Sequence, residues 1–159
     1  QMNLRLSAEL LDEVIEEALK HVNRKSSSHE IRVESCGEFL LARMDARLIV
    51  QVIINIVNNA VKYTPPGTDI TLSARREGDT VRVEIADTGP GIPQEAQGRL
   101  FQMFYTAGND RGDGRRGLGL GLALCKSIVE AHGGEIGMRA NEPHGSVFFF
   151  TLQAEEIKL

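Results

Sequence analysis

The sequence predicts an α+β fold in which helices and antiparallel strands form two separate layers. Three segments have the apolar spacing of helices, at residues 8–21, 46–63 and 119–132. Several other segments alternate apolar and polar side chains, as half-buried strands do. A chain of 159 residues has the length of one domain with one core.

Composition excludes several classes of protein. Hydrophobic residues make up 42% and charged residues 25% of the chain, both ordinary for a soluble globular protein. The chain shows neither an apolar run near the ~20 residues of a membrane span nor a secretory signal pattern. A net charge of −4 offers no argument for nucleic-acid binding. Cys36 and Cys125 fit no metal or redox spacing, which predicts free thiols in a reducing compartment. Because the chain opens on Gln1, we expect a fragment of a longer protein.

The first part of the chain predicts a helix followed by two strands. Apolar residues of 8–21 fall on one helical face, and Ser7 is a plausible N-cap. A polar break over 22–29 follows. Short strands are expected near 30–35 and 38–42.

The middle of the chain predicts a long helix and a hairpin. Asp45 can cap a helix over 46–63, which the prolines at 65 and 66 stop. Residues 69–76 and 80–87 both alternate apolar and polar side chains around a glycine-containing turn, which is typical of a β-hairpin.

The last part of the chain is loop-rich before it becomes regular again. Residues 88–117 predict loops with one short helix near 93–104. The helix over 119–132 ends at two successive glycines. Two final strands are expected near 135–140 and 146–153.

The long central helix carries an unusual polar stripe. Its predicted apolar face consists of Val50, Ile53, Ile54, Val57 and Val61. Gln51, Asn55, Asn59 and Lys62 share another face. The stripe could be the solvated side of a surface helix, but asparagine is a weak helix former that such faces seldom need. The alternative is a ligand-facing stripe, since an amide oxygen can ligate Mg²⁺ and an ammonium can meet phosphate.

An aspartate follows the second hairpin strand on its apolar side. Val81, Val83 and Ile85 point to one face, and the same parity places Asp87 there. A buried carboxylate is costly without partners, so the strand could instead end at Ala86, with Asp87 opening a turn. The functional alternative is a carboxylate at the base of a pocket, accepting a hydrogen bond from a group such as the adenine amino group. Glycines at 89 and 91 would let backbone approach the base.

The glycine-rich run GLGLGL directly before the last helix predicts an anion site. Exposed backbone N–H groups and the helix N-terminus both favour phosphate. The run is not a P-loop, and the G-x-G-x-x-G match at Gly112, Gly114 and Gly117 lacks the preceding strand of a Rossmann unit. Upstream, Arg111, Arg115 and Arg116 lie in a Gly- and Asp-rich segment that is either a solvated loop or a mobile lid whose cations reach a terminal phosphate.

Together and in this order, these motifs resemble the ATP-binding catalytic domain of sensor histidine kinases, in the superfamily that includes gyrase B, Hsp90 and MutL. NIVNNAVKYTPPG resembles the N-box, DTGPGIP the G1 box, LFQMFYT the F-box and GLGLGLALCKSIVEAHGGEI the G2 box. The resemblance covers nearly all of the chain. It implies one domain over residues 1–159 with a Bergerat-type ATP-binding fold, a mixed, mostly antiparallel sheet under three helices. Longer segments, including SIVEAHGG, are similar to Kdp-type potassium-responsive sensor kinases.

The resemblance implies roles by position. Asn59 would ligate Mg²⁺, and Asn55 would lie beside the phosphates. Lys62 would contact phosphate, Tyr63 would line the nucleotide site, and Asp87 would recognise the adenine amino group. The catalytic positions implied are Asn59, Lys62, Arg115 and Arg116, and the further nucleotide-binding positions are Gly89, Gly91, Ile92, Phe104, Gly117, Leu118, Gly119, Leu120, Gly121 and Leu122. Phe101 and Phe104 would anchor the base of the lid in apolar surface. For these two residues this role hardly differs from ordinary packing in the core.

The implied activity is transfer of a phosphoryl group from ATP·Mg²⁺ to a histidine. A histidine of a separate dimerisation domain would attack the γ-phosphorus, and an aspartate of a response regulator would then receive the group. None of the four histidines of this chain lies in a phosphoacceptor context such as H-[ED]-x-x-x-P. The resemblance also implies a cytoplasmic domain of an inner-membrane sensor, which reaches the membrane only through other parts of the protein, and no nucleic-acid partner.

Two other functions stay open from the sequence. An ATPase clamp or chaperone of the same superfamily would need an acidic base in the N-box helix, where this chain has Asn55. A noncatalytic nucleotide-binding module is argued against by the filled motif positions. Histidine labelling by ATP would separate a kinase from such a module.

Overall fold

The protein is a seven-stranded sheet with helices on one face, in a computed structural model that describes residues 2–22, 29–34, 38–102 and 120–156. The strands of the described part are β1 (Ser7–Leu10), β2 (Glu30–Glu34), β3 (Leu41–Met44), β4 (Asp69–Glu77), β5 (Thr80–Asp87), β6 (Ile136–Ala140) and β7 (Ser146–Glu155). The helices are α1 (Leu11–Lys20), α2 (Ala46–Tyr63), α3 (Gln94–Gln97) and α4 (Leu120–Ala131).

The sheet is mixed and mostly antiparallel. Its strands follow the order β1-β3-β7-β5-β4-β2. Only β2 and β4 run parallel among the pairs of the described strands. The long strand β7 pairs with β5 along one edge, while β6 and β3 share its other edge, β6 beside residues 146–150 and β3 beside 153–155. The predicted fold class is confirmed.

The core lies between one face of this sheet and the helices α1, α2 and α4. Strand β5 buries Val81, Val83 and Ile85, and its neighbour β7 buries Phe148 and Phe150 on the same face. Alternation along a strand sends every second side chain to one face, so this face is apolar and opposes the helices. The hairpin β4–β5 therefore forms as the sequence predicts.

The buried face of α2 is wider than the predicted one. Ile53 and Val57 are fully buried as expected, whereas Val50, Ile54 and Val61 are only half-buried at its margin. The prediction missed four buried residues, because a helix packed against both a sheet and two other helices buries a broader arc than a surface helix. These are Ile49, Val52, Ile56 and Ala60.

The prediction of a helix from residue 8 with a Ser7 cap is wrong at its start. Residues Ser7–Leu10 form β1, which pairs antiparallel with β3, and the helix begins at Leu11. The Ser7 hydroxyl donates to the Glu9 carboxylate at 2.6 Å instead of capping a helix. Pairing to an existing strand outweighs the helix preference of Ala-Glu-Leu.

Asp45 precedes α2 as predicted, but its side chain does not cap the helix. One carboxylate oxygen of this buried residue, Oδ2, accepts from the Arg5 main-chain N–H at 3.1 Å and from the Arg47 guanidinium at 3.2 Å. The Asp45 main-chain N–H donates to His132 Nε2 at 3.0 Å, while His132 Nδ1 donates to the Ile128 carbonyl at 2.8 Å. Through these two hydrogen bonds, His132 joins the end of α4 to the start of α2.

The remaining elements differ from prediction mainly at their ends. The short helix α3 spans four residues and is followed by turns through Gln102, so the predicted helix over 93–104 is too long; its last residues lie outside the described part. Cys125 is a buried free thiol, and Cys36 lies outside the described residues. In the described part of the chain, no helix is both long and apolar enough to cross a membrane.

Candidate functional site

Asp87 is the last residue of β5 and is buried on the core face, as strand parity predicts. Its side-chain Oδ1 accepts from the main-chain N–H of Gly89 at 2.9 Å and of Ser146 at 3.2 Å. No side-chain cation pairs with this carboxylate among the described residues, and the other oxygen, Oδ2, accepts no hydrogen bond from them. The alternative of a strand that ends at Ala86 is excluded, since Asp87 pairs with both Ile70 and Ser146.

The environment of Asp87 shifts the pKa of its side chain upward. Burial raises the pKa of this carboxyl above its ordinary value of 3.8, and the N–H donors of Gly89 and Ser146 offset only part of that rise. A carboxylate that pays a desolvation cost without a cation partner is suited to accept a hydrogen bond from a ligand.

The loop after β5 is held close to the end of α2. A Cβ atom added to Gly89 would lie 2.6 Å from Thr64 Cγ2, so a larger residue would displace Thr64 or the loop. The Thr64 hydroxyl in turn donates to the Ala60 carbonyl at 2.6 Å and lies 2.8 Å from His29 Nε2. Gly91 has φ +87°, a left-handed conformation that glycine adopts without strain. Gly89 therefore lets the aspartate loop lie against Thr64 at the end of the helix that carries the polar stripe, while Gly91 lies against Gly145.

The polar stripe of α2 is exposed at Gln51 and half-buried at Asn55, Asn59 and Lys62. Gln51 Nε2 donates to Asn55 Oδ1 at 3.0 Å, and Asn55 and Asn59 are both of intermediate exposure. Lys62 Nζ lies 4.6 Å from the centre of the Tyr63 ring, which is 38% exposed. The amide oxygens and the ammonium thus lie along α2 toward the end that meets the aspartate loop.

Helix α4 packs beside α2 next to this stripe. The Cys125 thiol of α4 donates to the Val52 carbonyl of α2 at 3.7 Å. Burial raises the pKa of Cys125 to about 12, so this thiol is not a nucleophile at neutral pH. The first turn of α4 places Gly121 at the surface and half-buries Leu122 against the core.

Several predicted site residues lie outside the described part of the chain. These are Phe104, Arg115, Arg116, Gly117, Leu118 and Gly119, together with Arg111 and the rest of the predicted lid. Of the described positions, Ile92 is half-buried against the core, and Leu120 is the first residue of α4. Phe101 packs edge-on against Phe148, with ring centres 6.2 Å apart, so core packing accounts for it.

Sequence reasoning missed a second set of residues around Asp87, on the turn between β6 and β7. Asn141 Nδ2 donates to the Asp87 carbonyl at 2.8 Å, and His144 Nδ1 donates to the Gly89 carbonyl at 3.1 Å. These contacts join residues 54 and 55 positions apart. Nothing in local periodicity marks such residues; only the polar turn NEPHG between two strands could have drawn attention to them.

The donor set near α2 suits a hard cation. No group of three or more His, Cys, Asp or Glu side chains in the described residues could hold a metal ion. Amide oxygens such as those of Asn55 and Asn59 are ligands that Mg²⁺ accepts, and Mg²⁺ in nucleotide sites takes most other ligands from phosphate and water. The residues present therefore fit a magnesium ion that arrives with a nucleotide.

Comparisons with known proteins agree with this arrangement. Residues 44–156 match the family of histidine kinase-, DNA gyrase B- and HSP90-like ATPases. The chain is 39% identical over 152 residues to the sensor protein KdpD of Clostridium acetobutylicum; the match covers 96% of this chain and 17% of that protein. It is 47% identical over 109 residues to the adaptive-response sensory kinase SasA of Microcystis aeruginosa, with 68% and 28% covered. The chain thus spans under a third of these relatives.

Solved structures give the same result. The catalytic domain of histidine kinase ThkA superposes with a TM-score of 0.79 at 30% identity, covering 94% of this chain and 97% of that one. ThkA in complex with its response regulator TrrA superposes at 0.77, with 29% identity and coverage of 96% and 42%. Full-length ShkA in complex with AMPPNP superposes at 0.82, with 26% identity and coverage of 99% and 33%. The chain belongs to the family of histidine kinase-, DNA gyrase B- and HSP90-like ATPases, as a catalytic domain of the histidine kinase type.

Proposed function

We propose that this domain binds ATP with Mg²⁺ and supplies the γ-phosphoryl group to a histidine outside this sequence. The observation that carries the proposal is the buried Asp87 carboxylate, whose Oδ1 is occupied by two main-chain donors while Oδ2 accepts nothing from the described residues. An adenine amino group is a neutral donor that matches such an oxygen, whereas guanine presents a carbonyl at the same ring position. The complex of the relative ShkA with AMPPNP supports an adenine nucleotide as the ligand.

Each part of the nucleotide would contact a different segment of the site. Asp87 fixes the base, and the backbone at Gly89, Gly91 and Ile92 lines it. Tyr63, exposed at the end of α2, flanks the nucleotide, while Lys62 reaches its phosphates. The remaining predicted positions would contact the phosphates. These are Phe104, Arg115, Arg116, Gly117, Leu118, Gly119, Leu120, Gly121 and Leu122.

Asn59 is the proposed magnesium ligand, with Asn55 beside the phosphates. A magnesium ion bound there would neutralise phosphate charge. The half-buried Asn55 amide is already oriented, since its Oδ1 accepts from Gln51 Nε2 at 3.0 Å. The chain's own part in the chemistry is to hold and orient the triphosphate and to exclude water from it.

Transfer requires a nucleophile from another domain. A histidine ring nitrogen would attack the γ-phosphorus in line, forming a P–N bond as the bond to the ADP oxygen breaks. We propose that this histidine belongs to a dimerisation domain of the full-length protein and that a response regulator then accepts the phosphoryl group. The complex of ThkA with its response regulator TrrA supports such a partner. Residues 1–159 would form one catalytic domain of a longer, membrane-anchored sensor, on its cytoplasmic side.

The likeness to KdpD supports a narrower proposal, that the full-length protein responds to potassium or osmotic conditions. A full-length protein reconstituted with its regulator should change its histidine labelling with potassium concentration. Labelling that is insensitive to potassium would overturn this narrower proposal alone.

Calorimetric titration of the domain with ATP, with and without Mg²⁺, tests the core proposal, with GTP as the control. We expect ATP to bind more tightly than GTP and the ATP affinity to depend on Mg²⁺. Binding that does not distinguish the two bases would contradict the role of Asp87. An Asn59→Ala variant whose ATP affinity still responds to Mg²⁺ as the parent's does would contradict the metal role.

A further inference from the structure

The turn between β6 and β7 meets the aspartate loop at three points. The Ser146 main-chain N–H donates to the Asp87 carboxylate, Asn141 donates to the Asp87 carbonyl and His144 donates to the Gly89 carbonyl. The two backbones also touch at Gly145, where an added Cβ would lie 1.9 Å from the Asp87 carbonyl oxygen. The loop that carries the proposed base-binding carboxylate therefore contacts this one turn on the side opposite to Thr64.

Two of these donors are side chains that pair with main-chain carbonyls at and just beyond the end of β5. Strand β5 ends at Asp87, so Gly89 lies beyond the hydrogen-bond ladder. Carbonyls at a strand end are normally paired or solvated, and a side-chain donor that pairs one also fixes its direction. Strand pairing fixes Asp87, and the Thr88 main-chain N–H still donates to the Asp69 carbonyl at 3.1 Å, so the side chains of the turn add a second set of contacts that extends to Gly89.

The orientation of Asn141 is itself fixed. Its Oδ1 accepts from the Glu142 main-chain N–H at 2.9 Å, which leaves Nδ2 to face the Asp87 carbonyl. The Asn141 main-chain N–H donates to the Gly145 carbonyl at 3.0 Å and closes the turn. The amide is therefore held from two sides before it reaches the loop, as a positioning group should be.

We propose that Asn141 and His144 are positioning residues for adenine recognition, holding the Asp87–Gly89 loop so that the free carboxylate oxygen faces the base. This inference rests on the proposed function and adds two residues that touch neither the proposed metal site nor the phosphates. Loss of either donor lets the loop shift and weakens base binding, while the phosphate end of the site is unchanged.

The test compares paired variants at each position. Asn141→Ala removes the donor, and Asn141→Asp keeps the acceptor for Glu142 but cannot donate to Asp87. His144→Ala removes the second donor, whereas His144→Asn restores an N–H near the position of Nδ1. Glu142→Gln is the control in the same turn, because the Glu142 side chain is exposed and forms no hydrogen bond with the described residues of the loop.

Affinities for ATP, adenosine and GTP are measured by calorimetry or by NMR titration, well below the unfolding midpoint of each variant. We expect Asn141→Ala, Asn141→Asp and His144→Ala to weaken ATP and adenosine binding by about threefold to tenfold, the effect of one hydrogen bond. The ATP-to-GTP preference should narrow, and His144→Asn should recover most of the parent affinity. Adenosine carries no phosphate. A weaker affinity of Asn141→Asp for adenosine therefore cannot come from repulsion between phosphate and the new carboxylate.

The outcomes separate this inference from the function on which it rests. If the parent domain binds no adenine nucleotide, the proposed function itself fails. If the parent binds and the donor-deficient variants match it, or lose ATP and GTP equally, the positioning role is overturned. A fall in melting temperature alone, with unchanged affinities, would likewise show that the turn only stabilises the fold.

Discussion

Glu84 and Asp87 lie three residues apart on β5, on opposite faces of the sheet, and both are buried. Glu84 is surrounded by guanidinium groups: Arg82 at 2.9 Å, Arg139 at 3.3 Å and Arg75 at 3.5 Å. Among the described residues, the Asp87 carboxylate contacts only main-chain N–H groups, those of Gly89 and Ser146. Burial opposes ionisation at both sites, but the arginines reverse it at Glu84, whose pKa lies below the ordinary 4.5, while the pKa of Asp87 lies above the ordinary 3.8.

The difference separates a buried carboxylate whose compensating charges lie within the fold from one that has no cation partner among the described residues. Glu84 is the first of these, and Arg82 also covers the Phe149 ring at 3.9 Å. Asp87 is the second, and a buried acid of this kind supports the proposal that its partner is a ligand. Exchanging or removing these groups should therefore separate binding from stability.

The largest effect is expected for Asp87→Asn on binding. The new amide keeps an oxygen for the donors of Gly89 and Ser146 but presents N–H groups where the adenine amino group would donate. ATP binding should weaken by about 1–3 kcal/mol, while the melting temperature of the free domain stays the same or rises, since the desolvation cost of a charge is removed. Calorimetry and thermal unfolding on one preparation measure both. An unchanged dissociation constant would contradict the adenine role.

Glu84→Gln should show the reverse behaviour. It leaves three arginines without their shared carboxylate on the sheet face away from the helices, so the free energy of unfolding should fall by about 1–3 kcal/mol. ATP affinity should stay within twofold of the parent. Urea unfolding and the same titration measure the two quantities, and a variant that loses ATP binding while folded would show that the two faces of β5 are not independent.

The pH dependence of stability should have opposite signs at the two sites. The contribution of Glu84 is present above pH 4.5 and is lost as pH falls through its lowered pKa. That of Asp87 is present below pH 3.8 and is lost as pH rises through its raised pKa. Urea midpoints of the parent, Glu84→Gln and Asp87→Asn across acid to neutral pH should show differences of opposite slope. Stability differences that change with pH in the same direction for both variants would contradict the opposite pKa shifts of Glu84 and Asp87.

The smallest effect is expected for Arg139→Ala. The Arg139 side chain is half exposed and is one of three cations at Glu84, so its removal should lower the free energy of unfolding by under about 1 kcal/mol. Arg82→Ala should cost more, because the Arg82 side chain is only 19% exposed and also covers Phe149. Equal costs in urea unfolding would mean that the number of arginines matters more than their burial.

The positions of several site residues were predictable from the local sequence pattern. The parity of β5 predicted a buried Asp87, and the spacing along α2 predicted a shared face for Asn55 and Asn59, because both features repeat with the period of one element. The roles of these residues toward ATP and Mg²⁺ stay predictions.

What the sequence could not predict depends on contacts between distant segments. The pairing of Ser7–Leu10 with β3, the contact of Arg139 with Glu84 and the donors of Asn141 and His144 all join residues far apart in the chain. Asp45 is a similar case: its position before α2 predicted a cap, but the Arg5 main chain and Arg47 compete for the carboxylate. Local propensity limits which structures a segment can form, and tertiary contacts decide which of them it adopts.

The histidine that fastens α4 to α2 has a mechanical consequence. The two helices run in opposite directions, so the Asp45–His132 contact joins them at the end away from Tyr63 and Leu120. The contact restrains the C-terminal end of α4, and the Cys125–Val52 contact holds its middle. Leu120, the first residue of α4, lies at the end of the helix opposite to the Asp45–His132 contact.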